Sequence, residues 1–126
     1  MQDSITSAYG YARSHRVGSC TVVAFHGDID IAAALDITPR LDAATCLPRC
    51  RVVLDLSAVE FLDASGLRLL CRARRRVAER GGVLVLAVPP PRVLWLLRIT
   101  RLTGFFTVLP TLDAALHHAT RPAVTP

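Results

Sequence analysis

The sequence predicts an α/β domain with a mostly parallel sheet and about four helices, in the order β-β-α-β-α-β-α-β-α. Short apolar runs typical of buried strands alternate along the chain with longer segments of helical periodicity. Glycines, prolines and helix-capping residues separate these segments. The length of 126 residues suits one domain. Because strands and helices alternate, we expect parallel strands joined by right-handed crossovers.

The first third of the chain predicts two strands and a helix. Apolar runs over 9–13 and 20–26 indicate the strands, and the Ala-rich segment 31–45 indicates the helix. Asp30 precedes that segment and is the predicted N-cap residue. Pro39 lies inside the segment and lacks an N–H donor, so we expect it to kink the helix or to shift its start.

The middle of the chain predicts a buried strand, a loop and a second helix. The apolar run 51–56 is typical of a strand that is buried on both faces. Residues 57–62 are predicted to form a loop, and residues 64–80 a helix. Gly81 and Gly82 follow the helix, where glycines commonly end a last turn.

The last third predicts two more strand–helix pairs. Residues 83–88 form the next predicted strand, and three prolines then lead into a helix over 92–101. Residues 105–109 indicate the last strand. Thr111 is the predicted N-cap of a final helix over 112–119. The domain is therefore expected over 9–119, with an N-terminal extension over 1–8 and a loose C-terminal tail over 120–126.

The charge and hydropathy of the sequence indicate which classes of partner to expect. The formal net charge is +5, and all 15 basic residues are arginines. This charge favours acidic partners. A nucleic-acid partner is not expected, because the arginines are spread over the chain and no aromatic stacking set accompanies them. The N-terminus does not resemble a secretory signal, and prolines break the most apolar stretch. We therefore expect a cytoplasmic protein without a membrane partner.

No catalytic, metal or cofactor site is expected. The chain has no lysine, so it cannot contain a phosphate-binding loop of the usual type, and it lacks the nucleophile elbow of hydrolases. The cysteines do not have the spacing of zinc knuckles, and we interpret them as reduced thiols and small core residues. They are Cys20, Cys46, Cys50 and Cys71.

Residues Asp63, Ala64, Ser65 and Gly66 are the strongest candidate for a functional site, because they lie where a predicted strand passes into a helix. The first turn of a helix has free N–H groups and the positive end of the dipole, so a phosphorylated hydroxyl is favourable there. An Asp or Ser at this point can also be an ordinary helix cap. On sequence chemistry alone the cap interpretation is favoured, because helix caps are common.

The predicted second helix has two faces. Its apolar residues recur at helical spacing and indicate one buried stripe, made of Leu67, Leu70, Cys71, Val77 and Ala78. Most arginines fall on the other side, which is typical of a solvated face or of a contact with an acidic partner. Arg74 projects toward the stripe and is expected to extend its guanidinium to water. Trp95, in the third helix, is expected to be partly core or to mark an interface.

Several motifs in this order resemble the STAS domain of bacterial anti-sigma factor antagonists, over residues 9–119. They are Gly27-Asp28-Ile29-Asp30, Val53-Leu54-Asp55-Leu56, Phe61-Leu62-Asp63-Ala64-Ser65-Gly66-Leu67, Gly81-Gly82, Leu96-Leu97-Arg98-Ile99-Thr100 and Phe105-Phe106-Thr107-Val108. In relatives a glycine often follows the third helix, where this chain has Arg101. The resemblance implies that this helix end uses another cap.

The resemblance also implies a function. Antagonists of this family bind a serine-kinase-type anti-sigma factor and so release a sigma factor. The kinase phosphorylates a serine directly after the aspartate, which ends the binding, and a phosphatase reverses the modification. Here Ala64 occupies that position, so Ser65 is the candidate for phosphorylation. The implied partner-binding residues are Asp28, Asp30, Asp63, Ala64, Ser65, Gly66 and Arg68.

An alternative function within the same resemblance is structural. The chain would then be a STAS subunit of a regulatory scaffold or of a transport-associated complex. A serine-kinase or sigma gene beside this one would favour regulation, and a permease operon would favour the alternative.

Overall fold

The structure of the chain, a computed structural model, describes residues 9–121. Within this range it has five strands, four α-helices and one 3₁₀ turn. The strands are β1 (Tyr11–Val17), β2 (Cys20–Ile29), β3 (Arg51–Leu62), β4 (Val83–Ala87) and β5 (Thr107–Leu109). The helices are α1 (Ile31–Ala44), α2 (Ala64–Glu79), α3 (Pro91–Ile99) and α4 (Leu112–Thr120), and the 3₁₀ turn is Thr103–Phe105. The predicted element order is confirmed.

The strands form one sheet in the order β1-β2-β3-β4-β5. β1 pairs with β2 antiparallel, and the other three neighbouring pairs are parallel. Sequential parallel strands with right-handed crossovers place their connecting helices on one face of the sheet. The main core accordingly packs α1, α2 and α3 against that face. A smaller core packs α4 against the opposite face.

The predicted loop over 57–62 is wrong, because β3 continues to Leu62. Val59 and Leu62 are buried in the main core, and β2 continues beside them as far as Ile29. Two register shifts between β2 and β3 interrupt the alternation of apolar and polar residues. This segment is a strand because a neighbouring strand pairs with it, which local periodicity does not reveal.

Three other predicted boundaries also differ. β1 lies over Tyr11–Val17 rather than 9–13, and β2 extends past residue 26 to Ile29. Residues 103–105 form the 3₁₀ turn, so β5 begins at Thr107. The extension over 1–8 and residues 122–126 of the predicted tail lie outside the described residues, whereas Thr120 is the last residue of α4.

Pro39 does not shift the start of α1, which begins at Ile31 after the predicted cap Asp30. The Ala33 N–H donates to Asp30 Oδ1 at 3.0 Å. A proline at position 39 cannot donate to the carbonyl of Leu35. The helix nevertheless continues past the proline to Ala44.

Arg101 takes the backbone conformation that a glycine would supply, so the expectation of another cap is wrong. Its φ is 61°. The N–H of Leu102 donates to the carbonyl of Leu97 at 2.8 Å, and the N–H of Arg101 donates to that of Arg98 at 3.1 Å. These two bonds are the Schellman pattern, which satisfies the carbonyls at the end of α3.

Candidate functional site

The candidate site begins where two parallel strands end side by side. Ile29, the last residue of β2, pairs with Leu62, the last residue of β3. The next residue of each chain segment is an aspartate, Asp30 or Asp63, and each caps the helix that follows. Strand register therefore brings the N-termini of α1 and α2 together at the carboxyl edge of the sheet, where open α/β sheets commonly bind ligands.

Asp63 is engaged in capping. Its Oδ1 atom accepts from the N–H of Ser65 at 2.8 Å and from the N–H of Gly66 at 3.2 Å. These are two of the donors that a helix start leaves without partners inside the helix. The cap interpretation of the Asp63–Gly66 sequence is confirmed. It fixes the backbone from which Ala64 and Ser65 project.

Ala64, Ser65 and Gly66 face three different environments. Ala64 is exposed, Ser65 is half-buried, and Gly66 is buried. A Cβ atom on Gly66 would lie 2.8 Å from Leu62 Cγ and 2.9 Å from the carbonyl oxygen of Ile29. The absence of a side chain at residue 66 therefore lets the first turn of α2 pack closely on the ends of β2 and β3.

A groove between α1 and α2 opens beside Ser65. We call it the α1–α2 groove, and its volume is about 340 Å³. Ser65, Arg68 and Arg75 line it from α2, together with Arg72. From α1 it receives Ile31 and Leu35, among others, and these two side chains are 66% and 71% exposed. The groove thus combines a hydroxyl, guanidinium groups and exposed apolar side chains.

Two arginines of α2, Arg72 and Arg76, form hydrogen bonds with the end of α1. Arg72 donates from Nε and Nη2 to the two carboxylate oxygens of Asp42 at 2.9 and 2.8 Å. Arg76 donates to Thr45 Oγ1 at 2.9 Å and to the carbonyl of Asp42 at 3.1 Å. These bonds join α2 to the end of α1. The hydrogen bond from Arg72 lowers the pKa of Asp42 below its usual 3.8.

The guanidinium of Arg74 contacts Phe105 and does not simply extend into water as was expected. Its Nε donates to the carbonyl of Phe105, and its guanidinium carbon lies 4.0 Å from the centre of the Phe105 ring. Within residues 9–121, Arg68 and Arg75 lie beyond 4.0 Å of any carboxylate oxygen. These two cations therefore remain available to a partner at the α1–α2 groove.

The buried stripe of α2 is shifted from the predicted one. Its buried residues are Gly66, Leu69, Leu70, Ala73 and Val77. Leu67 and Cys71 are only partly buried at its margin, and Ala78 is exposed. The predicted stripe included Ala78 and omitted Gly66, Leu69 and Ala73. The buried face is set by the packing of α2 in the main core, which helical spacing alone does not fix.

The structure brings most of the predicted partner-binding residues together. Asp30 and Asp63 lie at the adjoining helix starts, and Ser65 and Arg68 line the α1–α2 groove. Asp28 is separate: its neighbour Ile29 faces the main core, so strand alternation directs Asp28 to the opposite face of the sheet.

Sequence reasoning missed the exposed apolar residues Ile31 and Leu35. Their spacing of four residues places them on one face of α1, and this was the available signal. The groove itself was not predictable, because it depends on the contact between α1 and α2.

The four cysteines differ in exposure. Cys20 is fully buried, Cys50 and Cys71 are partly buried, and Cys46 is exposed. Burial raises the pKa of the Cys20, Cys50 and Cys71 thiols. Within the described part of the chain, no three His, Cys, Asp or Glu side chains group as metal ligands would. None of the helices over residues 9–121 is long and apolar enough to cross a bilayer.

Comparison with known proteins gives a family match and close structural likenesses. The family model of the STAS domain matches residues 11–115. An anti-sigma factor antagonist from Mycobacterium paratuberculosis superposes with a TM-score of 0.80 at 27% sequence identity, covering 90% of this chain and 97% of that chain. An anti-sigma factor antagonist (STAS) domain protein from Planctomyces limnophilus superposes with a TM-score of 0.77 at 23% identity, covering 90% and 100%.

A part of a much larger protein also has a similar fold. A murine solute carrier 26 family anion transporter, in its inward-facing state, superposes with a TM-score of 0.74 at 13% identity. The match covers 92% of this chain but 23% of the transporter. At this identity the likeness shows a shared fold and nothing more. None of the curated proteins matches the chain.

Proposed function

The chain belongs to the STAS domain family, and on that premise we propose that it is an anti-sigma factor antagonist. It binds a serine-kinase-type anti-sigma factor in the cytoplasm and thereby releases a sigma factor. The chain acts as a binding module in this proposal, not as an enzyme. The observation that carries the proposal is the start of α2, where Asp63 holds Ser65 at the rim of the α1–α2 groove.

The composition of the groove supports a protein partner. Ile31 and Leu35 offer exposed apolar surface, and Arg68 and Arg75 offer guanidinium groups without carboxylate partners among the described residues. Interfaces of this kind bury apolar side chains at the centre and pair charges at the rim. The complementary surface on the anti-sigma factor is therefore apolar with acidic residues around it.

Phosphorylation control is the part of the proposal in which this chain departs from its family. Ala64 stands at the position of the modified serine and has no hydroxyl group. Ser65 has one, but it lies one residue further along α2. Its hydroxyl therefore points about 100° away from the direction that a hydroxyl on residue 64 would take. We propose that the chain binds its partner without being readily switched off by the kinase.

Binding is tested by calorimetry with the serine-kinase anti-sigma factor encoded in the same genome. We expect a complex with the unmodified chain. Ser65→Glu adds charge and bulk at the groove and should weaken binding by more than about 1 kcal/mol. Ser57→Glu is the matched control, because Ser57 is exposed on β3 and does not line the groove.

Two outcomes would contradict the proposal. Unchanged affinity of Ser65→Glu, with the fold intact by circular dichroism, would place the interface elsewhere. No complex with any serine-kinase anti-sigma factor of the genome, together with stable capture of a transport protein or a scaffold protein, would favour the structural alternative.

A further inference from the structure

A second groove lies between the end of β3 and α3. We call it the β3–α3 groove, and its volume is about 340 Å³. Its walls are mostly apolar and include Phe61 and Leu62 from β3, with Val93, Trp95 and Leu96 from α3. It shares no lining residue with the α1–α2 groove. It is therefore a separate surface of the molecule.

Large apolar side chains stand exposed in and beside this groove. Phe61 is 49% exposed and Trp95 is 58% exposed. Ile99 follows Trp95 by four residues on the same face of α3, and it is 54% exposed. The opposite face of α3 is directed into the core through Val93 and Leu97. Such clustering of exposed aromatic and aliphatic groups is typical of an interaction site.

The spacing of Trp95 and Ile99 indicates the shape of the occupant. Residues four apart form a ridge along a helix, and such ridges pack into the grooves of a second helix. The β3–α3 groove runs beside this ridge, with Phe61 as its other aromatic wall. An amphipathic helix with apolar residues at corresponding spacing fits this arrangement.

The charges around α3 indicate the character of that helix. α3 contains Arg92 and Arg98 and no acidic residue, and Arg101 follows the cap residue Thr100. Within residues 9–121, none of the three lies within 4.0 Å of a carboxylate oxygen. A second copy of the chain would bring these like charges together if the two α3 helices packed on each other. An acidic partner would pair with them instead.

We propose that the β3–α3 groove is a second docking site, which binds an acidic amphipathic helix of a partner protein. The proposal does not depend on the identity of the protein that binds the α1–α2 groove. Apolar side chains of the partner helix would cover Phe61 and Trp95, and its acidic residues would pair with Arg92 and Arg98. Among the residues that the structure describes, Glu60 is the one acidic residue that lines the groove.

Trp95 provides the readout, because it is the only tryptophan of the chain. The probe is a synthetic amphipathic peptide with leucines at helical spacing and glutamates on its polar face. A matched peptide carries lysines in place of the glutamates, and neither peptide contains an aromatic residue. We expect the acidic peptide to shift Trp95 emission to shorter wavelength in a saturable way. The basic peptide should bind at least about tenfold more weakly.

Variants test the location. Phe61→Ala should weaken binding of the acidic peptide about tenfold, which is the size of a central interface contact. Arg92→Glu should reduce the preference for the acidic peptide over the basic one. Leu35→Ala is the matched control, since Leu35 is exposed but lines the α1–α2 groove. Urea unfolding establishes that each variant is folded.

Three results would overturn the proposal. In the first, both peptides bind equally well or neither binds. In the second, the emission of the protein alone shifts with its own concentration, which would identify a second copy as the occupant. In the third, Leu35→Ala weakens peptide binding as much as Phe61→Ala does. Failure to bind an anti-sigma factor would leave all of these measurements unaffected.

Discussion

Ala64 and Ser65 differ in direction by about 100° around α2 and by about 1.5 Å along it. Ala64 faces solvent, and Ser65 is half-buried at the α1–α2 groove. A kinase that is aligned on residue 64 finds a methyl group there. Phosphoryl transfer depends on in-line positioning, and an error of about 1 Å can cost roughly a hundredfold in rate. Ser65 is therefore expected to be a poor substrate.

The corresponding prediction is that Ala64→Ser creates an efficient phosphorylation site. Wild type, Ala64→Ser and Ser65→Ala are incubated with the cognate kinase and ATP, and phosphate gain is read by intact mass. We expect rapid gain of one phosphate by Ala64→Ser and slow gain by the wild type. Rapid, stoichiometric modification of the wild type that Ser65→Ala abolishes would show that Ser65 has taken over the role.

The cysteines are predicted to react in two classes. The thiolate is the reactive form, and burial raises the pKa of the Cys20, Cys50 and Cys71 thiols. Cys46 is the exposed one. In a thiol-reagent titration without reductant, the native protein should show one fast thiol, and the denatured protein all four. Cys46→Ser should remove the fast phase. Recovery of two thiols after denaturation would instead indicate a disulfide.

At the scale of single elements, close packing of α2 on the sheet depends on Gly66. A methyl group there would clash with Leu62 and with the carbonyl of Ile29. Gly66→Ala is therefore expected to destabilise the fold by about 1–3 kcal/mol, although alanine favours a helix interior by about 1 kcal/mol. Gly104→Ala is the matched control, since a Cβ there meets nothing within 4 Å. Urea unfolding measures both, and equal stability of the two variants would contradict the prediction.

The contact between α1 and α2 is predicted to depend on pH. Asp42 has a lowered pKa in the folded chain because Arg72 donates to its carboxylate. Its ionised form therefore stabilises the fold above the unfolded value of 3.8, and this contribution is lost as pH falls through the lower folded pKa. The contribution is small because the pair is partly exposed to solvent.

Asp42→Asn should accordingly be less stable than the wild type near neutral pH, and the difference should shrink as the pH falls below about 4. Urea unfolding from about pH 7 to about pH 3 measures this. Asp36→Asn is the control on the same helix, because Asp36 makes no ion pair within the described residues. A gap between Asp42→Asn and wild type that stays constant with pH would assign the effect to something other than the carboxylate charge.

The helix starts could be predicted from residues next to each other in the sequence. The features that the sequence did not predict depend on contacts between residues far apart in the chain. Asp30, Asp63 and Thr111 cap their helices as predicted, because a cap needs only its own next few residues. The extension of β3 to Leu62 depends on β2, which lies beside it in space. The left-handed Arg101 likewise depends on the Schellman bonds to α3, which a glycine-based rule does not foresee.

The candidate site likewise has one part that the sequence predicts and another that only the fold reveals. The sequence located the turn Asp63–Gly66, because a strand, a cap and a helix follow each other there. The α1–α2 groove needs two helices that are about thirty residues apart in sequence to lie side by side, as the bonds of Arg72 and Arg76 to Asp42 and Thr45 show. Only the fold brings the arginines and the exposed residues of α1 to one surface.

The whole molecule is asymmetric about its sheet. Among residues 9–121, three helices cover one face, and α4 is the helix that packs on the other through Ala115 and Ala119. Alanines at these points let the helix approach the sheet closely. Arg51, at the start of β3, donates to the carbonyls of Ala119 at 2.7 Å and Arg121 at 2.9 Å, which ties down the end of α4. Within the described part of the chain, the second face therefore depends on one nine-residue helix.

This dependence predicts that Ala115→Asp destabilises the whole fold. Ala115 is fully buried in the small core, so the new carboxylate would be removed from water and set among apolar side chains. An uncompensated buried charge costs roughly 3–5 kcal/mol, a large part of the stability of a domain this size. Ala114→Asp is the matched control, one residue earlier and only partly buried. Calorimetric unfolding should show a much lower Tm for Ala115→Asp alone, and a similar Tm for both variants would mean that α4 contributes little to the fold.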